Sequence, residues 1–249
     1  LIRMDNKKKD YSIFNTYYDE INIDFWNDHI KKCLKILSNT KLINGFAYDF
    51  GCGTGSGLEL IKALGYKNIK GIDLSNDMIK LAKSKYDNID FVVGNMLVDP
   101  KWDPGSLAIC NFDAINYLIG EDEWPIFFST VSNSLKKNGI FLFDVLTVND
   151  HKNNWPNYTR VIENENYVLI NHGDYKDNIA YMYYTWFIKN INNLYDKYIE
   201  IHRQRTYPID KINEWLNYND FKVIDIIDAD TGLEVKGKTN RLIYKCIKK

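Results

Sequence analysis

Apolar and polar positions along the chain fall into two rhythms. From about Asp24 to Leu37, residues Phe25, Trp26, Ile30, Cys33, Leu34 and Leu37 recur at helical spacing. A strand (Phe46–Phe50), a glycine-rich turn, a helix (Gly57–Leu64) and a strand (Ile69–Ile72) follow. Ser75 is placed to cap the next helix, which runs through Met78, Ile79 and Leu81. Further strands are predicted at Asp90–Val93, Leu107–Phe112 and Ile140–Val145, with a helix around Glu123–Leu135 before the last of them. Strands alternating with helices imply right-handed crossovers and a parallel sheet covered on both faces. The expected fold is a doubly wound α/β domain.

After Val145 the rhythm changes. Residues from roughly 159 to 207 read as extended and aromatic, in three runs: YVLINHG, NIAYMYYTWFIKN and NLYDKYIEIHRQRTY. Asp177-Asn178 and Asn192-Asn193 supply turns between them, so the pattern predicts an antiparallel β meander over about 155–207. A helix (Ile209–Leu216) and two strands (Lys222–Ile227 and Arg241–Cys246) then resume the earlier rhythm. The meander is therefore expected as an insert within one domain spanning 1–249.

Size and charge narrow the possible partners. A chain of 249 residues with 45% hydrophobic content has enough apolar material for one large core. Its net charge of −1 offers no global field for nucleic acid or an anionic membrane, and Lys7–Lys9 reads as a solvated tail. Cys33, Cys52, Cys110 and Cys246 form no CxxC pair, which argues against a zinc site or disulfide framework. The opening LIRMDNKKKDYS lacks an apolar signal core, and no run approaches membrane-spanning length. The expectation is a cytoplasmic protein with no metal, nucleic-acid or membrane partner.

The stretch FAYDFGCGTGSGLELIKALG (46–65) carries the chemistry. A dinucleotide fingerprint needs Gly-x-Gly-x-x-Gly, but starting from Gly51, Gly53 or Gly55 the third glycine falls on Ser56, Leu58 or Leu60. No Gly-Lys-Ser/Thr follows, so a phosphate-binding loop is excluded as well. What remains is D-x-G-x-G-x-G after a first strand, with Asp73 ending the second, 22 residues beyond Gly51. An acid at that place accepts hydrogen bonds from ribose hydroxyls. The ligand reads as an adenosine whose other end is not a pyrophosphate.

YDFGCGTGSG (48–57), GIDLS (71–75), NDMIKLAKSK (76–85) and VVGNM (92–96) together resemble the class I S-adenosylmethionine-dependent methyltransferases. The resemblance implies a single Rossmann-like methyltransferase domain with S-adenosyl-L-methionine as cofactor and S-adenosyl-L-homocysteine as product. It implies that Gly51, Cys52 and Gly53 approach the methionine moiety, that Asp73 binds the ribose, and that Leu74, Asn95 and Met96 flank the adenine. Asp49, Met78 and Asn111 join the cofactor set on the same ground. Asn95 stands where the family often has Asp, and an amide still offers its oxygen to the adenine amino group. FNTYYDEINIDFWNDHI (14–30), IEIHRQRTY (199–207) and TNRLIY (239–244) are more loosely similar to bacterial small-molecule methyltransferases, including amino-sugar N-methyltransferases. That branch implies a helical lid over about 11–38, with Tyr18 or Trp26 near the sulfonium; the same aromatics also suit a plain core.

The acceptor is expected beside CNFDAINYL (110–118), at the carboxyl end of the fourth strand. Asp113 and Tyr117 are candidate catalytic groups there, with Phe112 and Asn116 against the acceptor; Asp113 also suits a turn and Tyr117 also suits packing. Alternation in YIEIHRQRTY puts His202 with Glu200 and Gln204 on one face, and Arg205 with Arg203 and Tyr207 on the other. His202 is a further catalytic candidate, and Arg205 or Arg241 would hold an acceptor's anionic group. Cys52 is not expected as a nucleophile, since methyl transfer needs no covalent intermediate. His29, His151 and His172 are expected in solvent. The insert either walls a small polar acceptor, N-methylation ranking above O-methylation, or pairs two copies into a homodimer. Neither an [N/D]-P-P-[Y/F] motif nor a Pro-Cys nucleophile follows the fourth strand, which argues against nucleic-acid substrates. A cofactor-binding regulatory or scaffold protein without turnover is the rival reading.

Overall fold

The computed structural model describes residues 12–40 and 44–249; the Lys7–Lys9 tail and the first residue of the expected lid lie outside them. Helix α1 (Ser12–Leu37) leads into β1 (Phe46–Phe50), α2 (Leu58–Ala63), β2 (Asn68–Asp73), α3 (Asn76–Lys85) and β3 (Asp90–Val93). β4 (Gly105–Cys110), α4 (Glu123–Ser134) and β5 (Leu135–Leu146) complete the first half. Then come β6 (Thr159–Glu163), β7 (Tyr167–Lys176), β8 (Ile179–Lys189), β9 (Tyr195–Gln204), α5 (Ile209–Tyr218), β10 (Phe221–Asp228) and β11 (Arg241–Lys248). Among the described residues no helix is long and apolar enough to cross a membrane.

The central sheet has the order β10-β11-β5-β4-β1-β2-β3. β1 to β5 run parallel, whereas β11 is antiparallel to β5 and β10. The chain winds outward from β1 to β3, then returns to lay β4 on the other side of β1. That reversal opens a crevice at the carboxyl ends of β1 and β4. Because β11 is reversed, its first residue, Arg241, pairs with Leu146 at the same edge. One face of the sheet is packed with aromatics: Trp124, Phe127 and Phe128 of α4 bury against Phe141, Phe143 and Tyr244. On the other face, Cys33 and Leu37 of α1, Ile61 of α2 and Ile79 of α3 cover Ile109, Leu142 and Ile243.

β6 to β9 form a separate four-stranded antiparallel sheet, as the expected insert. Asp177 and Asn178 both have positive φ (53° and 61°), the two-residue hairpin turn that matches strand twist, with Lys176 opposite Ile179. β6 adds a fourth strand beyond the three aromatic runs; it is an exposed edge without apolar alternation, so no separate signal for it stands in the residue pattern.

α1 begins at Ser12, well before the helical spacing near Asp24. Its two halves face different surroundings. Tyr17 packs on Tyr167 and Trp186 of the meander, at 4.5 and 5.4 Å between ring centroids, while Cys33 and Leu37 enter the α/β core. The apolar stripe rotates along the helix, and no single period runs through it.

Candidate active site

A cavity of about 770 Å³ opens at the carboxyl ends of β1 to β4. Its floor is the turn between β1 and α2, where Gly51, Gly53 and Gly55 all have positive φ (71°, 52° and 88°). A Cβ at Gly51 would meet the Ala114 Cβ at 2.8 Å, so glycine is required there on two counts. At Gly53 a Cβ would point into open space towards Tyr18, 4.0 Å away. That glycine leaves room for a ligand rather than for protein.

Asp73 sits at the end of β2 with both carboxylate oxygens oriented. Gly53 N–H donates to Oδ2 and Ser75 N–H to Oδ1, each at 2.8 Å. Burial raises its pKa, opposed by these two hydrogen bonds. Ser75 in turn caps α3, its Oγ accepting from Met78 N–H at 3.3 Å. Leu74 lies next to this carboxylate, lines the cavity and is 74% exposed. An apolar side chain left bare in a cleft fits a planar base laid over it. Met78, Asn95, Met96, Cys52, Asn111 and Phe112 also line the cavity. Cys52 has its thiol pKa pushed well up by burial, as an inert thiol rather than a nucleophile.

Two residues of the expected cofactor set lie behind this surface. Asp49 is buried beneath the loop, its Oδ2 without a hydrogen-bond partner among the described residues. Trp26 stacks behind Tyr18 (5.1 Å) and Phe112 (5.7 Å) and does not reach the cavity; Tyr18 alone of that pair does.

α1 roofs the cleft and is fastened at three points. Asn15 Nδ2 donates to Ser75 Oγ at 3.2 Å, and Thr54 Oγ1 of the glycine loop donates to Asp19 Oδ1 at 2.5 Å, with Lys85 paired to the same carboxylate. Glu200 of β9 accepts from the main-chain N–H groups of Ile13 and Phe14.

The acceptor candidates divide. Tyr117 and His202 both line the cavity and are bonded, hydroxyl to Nδ1, at 2.9 Å. His202 is enclosed by the rings of Phe14 (4.6 Å) and Tyr184 (4.5 Å), and burial pushes its pKa down to about 3. Asp113 does not line the cavity. Its carboxylate is held by Arg241 Nη2 at 2.7 Å and by Gln204 Nε2 at 2.6 Å. Arg241, expected as an anion holder, bridges Asp113 and the buried Asp144 and lies 4.8 Å from the Phe25 ring centre. Burial raises the Asp113 pKa, countered by the guanidinium.

Asn116 is also structural. Its amide donates to the carbonyls of Leu146 (3.3 Å) and Arg205 (3.0 Å) and accepts from Leu146 N–H (3.0 Å), which uses both of its donors, and it is buried away from the cavity lining. Arg205 turns outward to Glu121 (3.0 Å), and its neighbour Arg203 borders the cleft instead. His29 and His151, expected in solvent, are buried: His29 lies 3.6 Å from Asp144, and His151 Nε2 is 3.3 Å from Gln204 Oε1. Desolvation lowers both pKa values, that of His151 to about 4. His172 is exposed as expected. The sequence pattern places Gln204 only on the face of His202 and does not single out Asp144, whose one visible signal is an acid inside the apolar strand FLFDVL.

A strand order that reverses at a glycine turn, with an acid at the tip of the next strand, gives a Rossmann-like methyltransferase fold. Residues 47–139 match the family described as a methyltransferase domain. An inferred methyltransferase of Geobacillus sp. (strain WCH70) is 29% identical over 251 residues, covering 96% of this chain and 99% of that one. Among solved structures, an S-adenosylmethionine-dependent methyltransferase from Clostridium acetobutylicum is similar with a TM-score of 0.84 at 22% identity, over 95% of this chain and 98% of that one. A sugar N-methyltransferase from Streptoalloteichus sp. has a TM-score of 0.75 at 13% identity, over 93% and 91%. At such identities the structural likenesses establish the fold alone; the methyltransferase activity rests on the matched domain and the full-length relative together with the site.

Proposed function

We propose that the enzyme methylates the nitrogen of a small-molecule acceptor held between the glycine loop, the lid and the inserted sheet. The observation that carries this reading is the geometry of the acceptor wall, where His202 is enclosed by Phe14 and Tyr184 and bonded to Tyr117, and Asp113 is held by Arg241. S-adenosylmethionine supplies a methyl group already activated on a sulfonium. An attacking hydroxyl needs a base, whereas a neutral amine attacks with its own lone pair. Among the described residues on the acceptor side of the cleft, no group is poised to take a proton near pH 7. His202 is held neutral down to about pH 3, and burial raises the Tyr18 phenol and the Cys52 thiol. Asp113, four residues before Tyr117, is committed to Arg241.

In this reading Gly51 and Gly53 let main chain approach the methionine moiety, and Asp73 accepts from the ribose hydroxyls. Leu74, Asn95 and Met96 flank the adenine. The Tyr18 ring over the loop suits a sulfonium, whose positive charge an aromatic face favours. Tyr117, fixed by its bond to His202, presents an orienting hydroxyl to the acceptor rather than a base. The Streptoalloteichus neighbour is a sugar N-methyltransferase, and its likeness supports an amine-bearing polar acceptor of that size. The cleft suits a small molecule, being concave and mostly apolar with few convergent polar groups.

The test is formation of S-adenosylhomocysteine over a panel of amine and hydroxyl acceptors matched in shape. Turnover confined to hydroxyl acceptors overturns the assignment.

A further inference from the structure

A second cavity, of about 270 Å³, lies on the far side of Phe14 from the glycine loop. Phe14 lines both spaces, and with Tyr184, 4.7 Å away between ring centroids, it forms the partition. At about 30 Å³ per liquid water the second space corresponds to roughly nine waters, the scale of a small polar fragment.

Its walls are unusual in what they leave unpaired. Asn171 is 7% exposed, lines the cavity, and its Oδ1 has no hydrogen-bond partner among the described residues. A buried carbonyl without a donor costs on the order of 1–3 kcal/mol, so it marks a place where a donor belongs. Asp150, 9% exposed, holds a carboxylate bonded only by neutral donors, Asn154 Nδ2 at 2.8 Å and Trp155 Nε1 at 2.9 Å. No cation lies within ion-pair distance of it among the described residues; Arg241, which borders the same space and acts on Asp150 from farther away, is paired with Asp113 and Asp144. Arg160 also borders the space and stands exposed, opposite Asn171 across β6 and β7, where its side chain has solvent to turn to. The unmet needs are thus a hydrogen-bond donor at Asn171 and a positive charge at Asp150.

We propose that this chamber binds the protonated amine of a small ligand, the remote end of the methyl acceptor, through Asp150, with Asn171 accepting from the same group or a neighbouring hydroxyl. The proposal rests on the acceptor reading above, yet its site is separate from the reacting nitrogen and from the cofactor.

Three isosteric probes separate the chemistries: 2-amino-1,3-propanediol (ammonium), glycerol (neutral) and glycerate (anion). Each is titrated into protein saturated with S-adenosylhomocysteine, and the Trp155 indole N–H and Asn171 amide signals are followed by NMR. The ammonium probe is expected to shift both signals, with an affinity about tenfold above that of glycerol, the difference between a charged and a neutral hydrogen bond. Glycerate is expected to shift neither. Asp150→Asn removes the preference for the ammonium. Asn171→Leu, which deletes an unsatisfied carbonyl, weakens the probe while keeping a folded protein and an unchanged S-adenosylhomocysteine affinity. Equal response to all three probes, which is the mark of a solvent pocket, or no response to the ammonium probe, overturns the proposal. Failure to bind S-adenosylhomocysteine sinks the acceptor reading instead, and is measured separately.

Discussion

Glu200 caps α1 from another part of the fold: its two carboxylate oxygens accept from the main-chain N–H of Phe14 at 3.3 and 3.2 Å. The residues are 186 apart in sequence. A helix start leaves its first N–H groups without partners, and a carboxylate there also meets the positive end of the helix dipole. The inserted sheet therefore holds α1 through the electrostatics of one helix end.

Removing that cap is expected to loosen the lid without dissolving the domain. Glu200→Ala should cost about 0.5–2 kcal/mol, the range for a lost N-cap. Hydrogen exchange of the first turn of α1 should speed up, and S-adenosylhomocysteine should dissociate faster. Exchange in β1 and β4 is expected to stay as it was; a general acceleration there shows that Glu200 supports the whole fold and not the lid alone.

The cofactor floor is tested by two changes with different consequences. Asp73→Ala should weaken cofactor binding by roughly 1.5–3 kcal/mol, the worth of hydrogen bonds to a charged group. Gly53→Val should abolish binding while keeping a cooperative unfolding transition, since its Cβ points into the cleft and the positive φ costs only about 1–3 kcal/mol. Gly51→Val, whose Cβ would collide with Ala114, is expected to lose stability as well. Calorimetry on a Gly53→Val protein that binds normally would remove the loop from the cofactor site.

Much of this was legible in the sequence, for reasons of local physics. The parallel sheet follows from alternating apolar periods, and the glycine turn and Asp73 stand within one strand–helix–strand unit. The role of Arg241 was not legible, because Asp113 lies 128 residues away and Asp144 lies 97. Only the reversed β11 brings Arg241 to the carboxyl edge of β4 and β5. Asn116 illustrates the same limit. A polar residue after a strand suits a ligand site and a main-chain clasp equally, and the partners Leu146 and Arg205 come from other elements. His29 and His151 were misplaced because polarity alone suggested solvent, whereas each meets a buried polar partner.

Arg241 is expected to behave as a structural cation. Arg241→Met leaves Asp113 and Asp144 buried without their counter-charge, which should cost about 3–5 kcal/mol, as for other broken buried pairs. Urea unfolding measures it. A variant of normal stability with only a raised acceptor KM would restore Arg241 to the acceptor site.

Acid should unfold the protein early, through its buried histidines. His202 is held at about 3 and His151 at about 4, both below the ordinary histidine value of 6.5, by desolvation. Folded values below the unfolded one mean that the unfolded chain binds more protons between them. Stability is therefore full above about pH 6.5 and falls as pH drops towards 4 and 3, by up to ~1.4 kcal/mol per pH unit for each group. Unfolding midpoints between pH 7.5 and 5 measure the slope, and His202→Gln should flatten it. An unchanged slope in that variant means that other groups carry the acid sensitivity.

Tyr117 and His202 share one hydrogen bond at the wall where the acceptor is proposed to lie, and its loss should act on the acceptor alone. Tyr117→Phe keeps the ring and deletes the hydroxyl. Losing a neutral hydrogen bond of about 1 kcal/mol predicts a fall in kcat/KM for the acceptor of about fivefold. S-adenosylmethionine affinity should hold, since the hydroxyl bonds to His202 and not to the glycine loop or Asp73. The shape of the pH–rate profile discriminates further. With Tyr117 as an orienting hydroxyl, the profile keeps its limbs and only its height falls, because the acceptor amine sets the ionisation. With Tyr117 or His202 as the base, substitution removes a limb and lowers turnover by about 10²-fold or more, the scale of general base catalysis. Loss of a limb would return proton abstraction to this pair and reopen O-methylation.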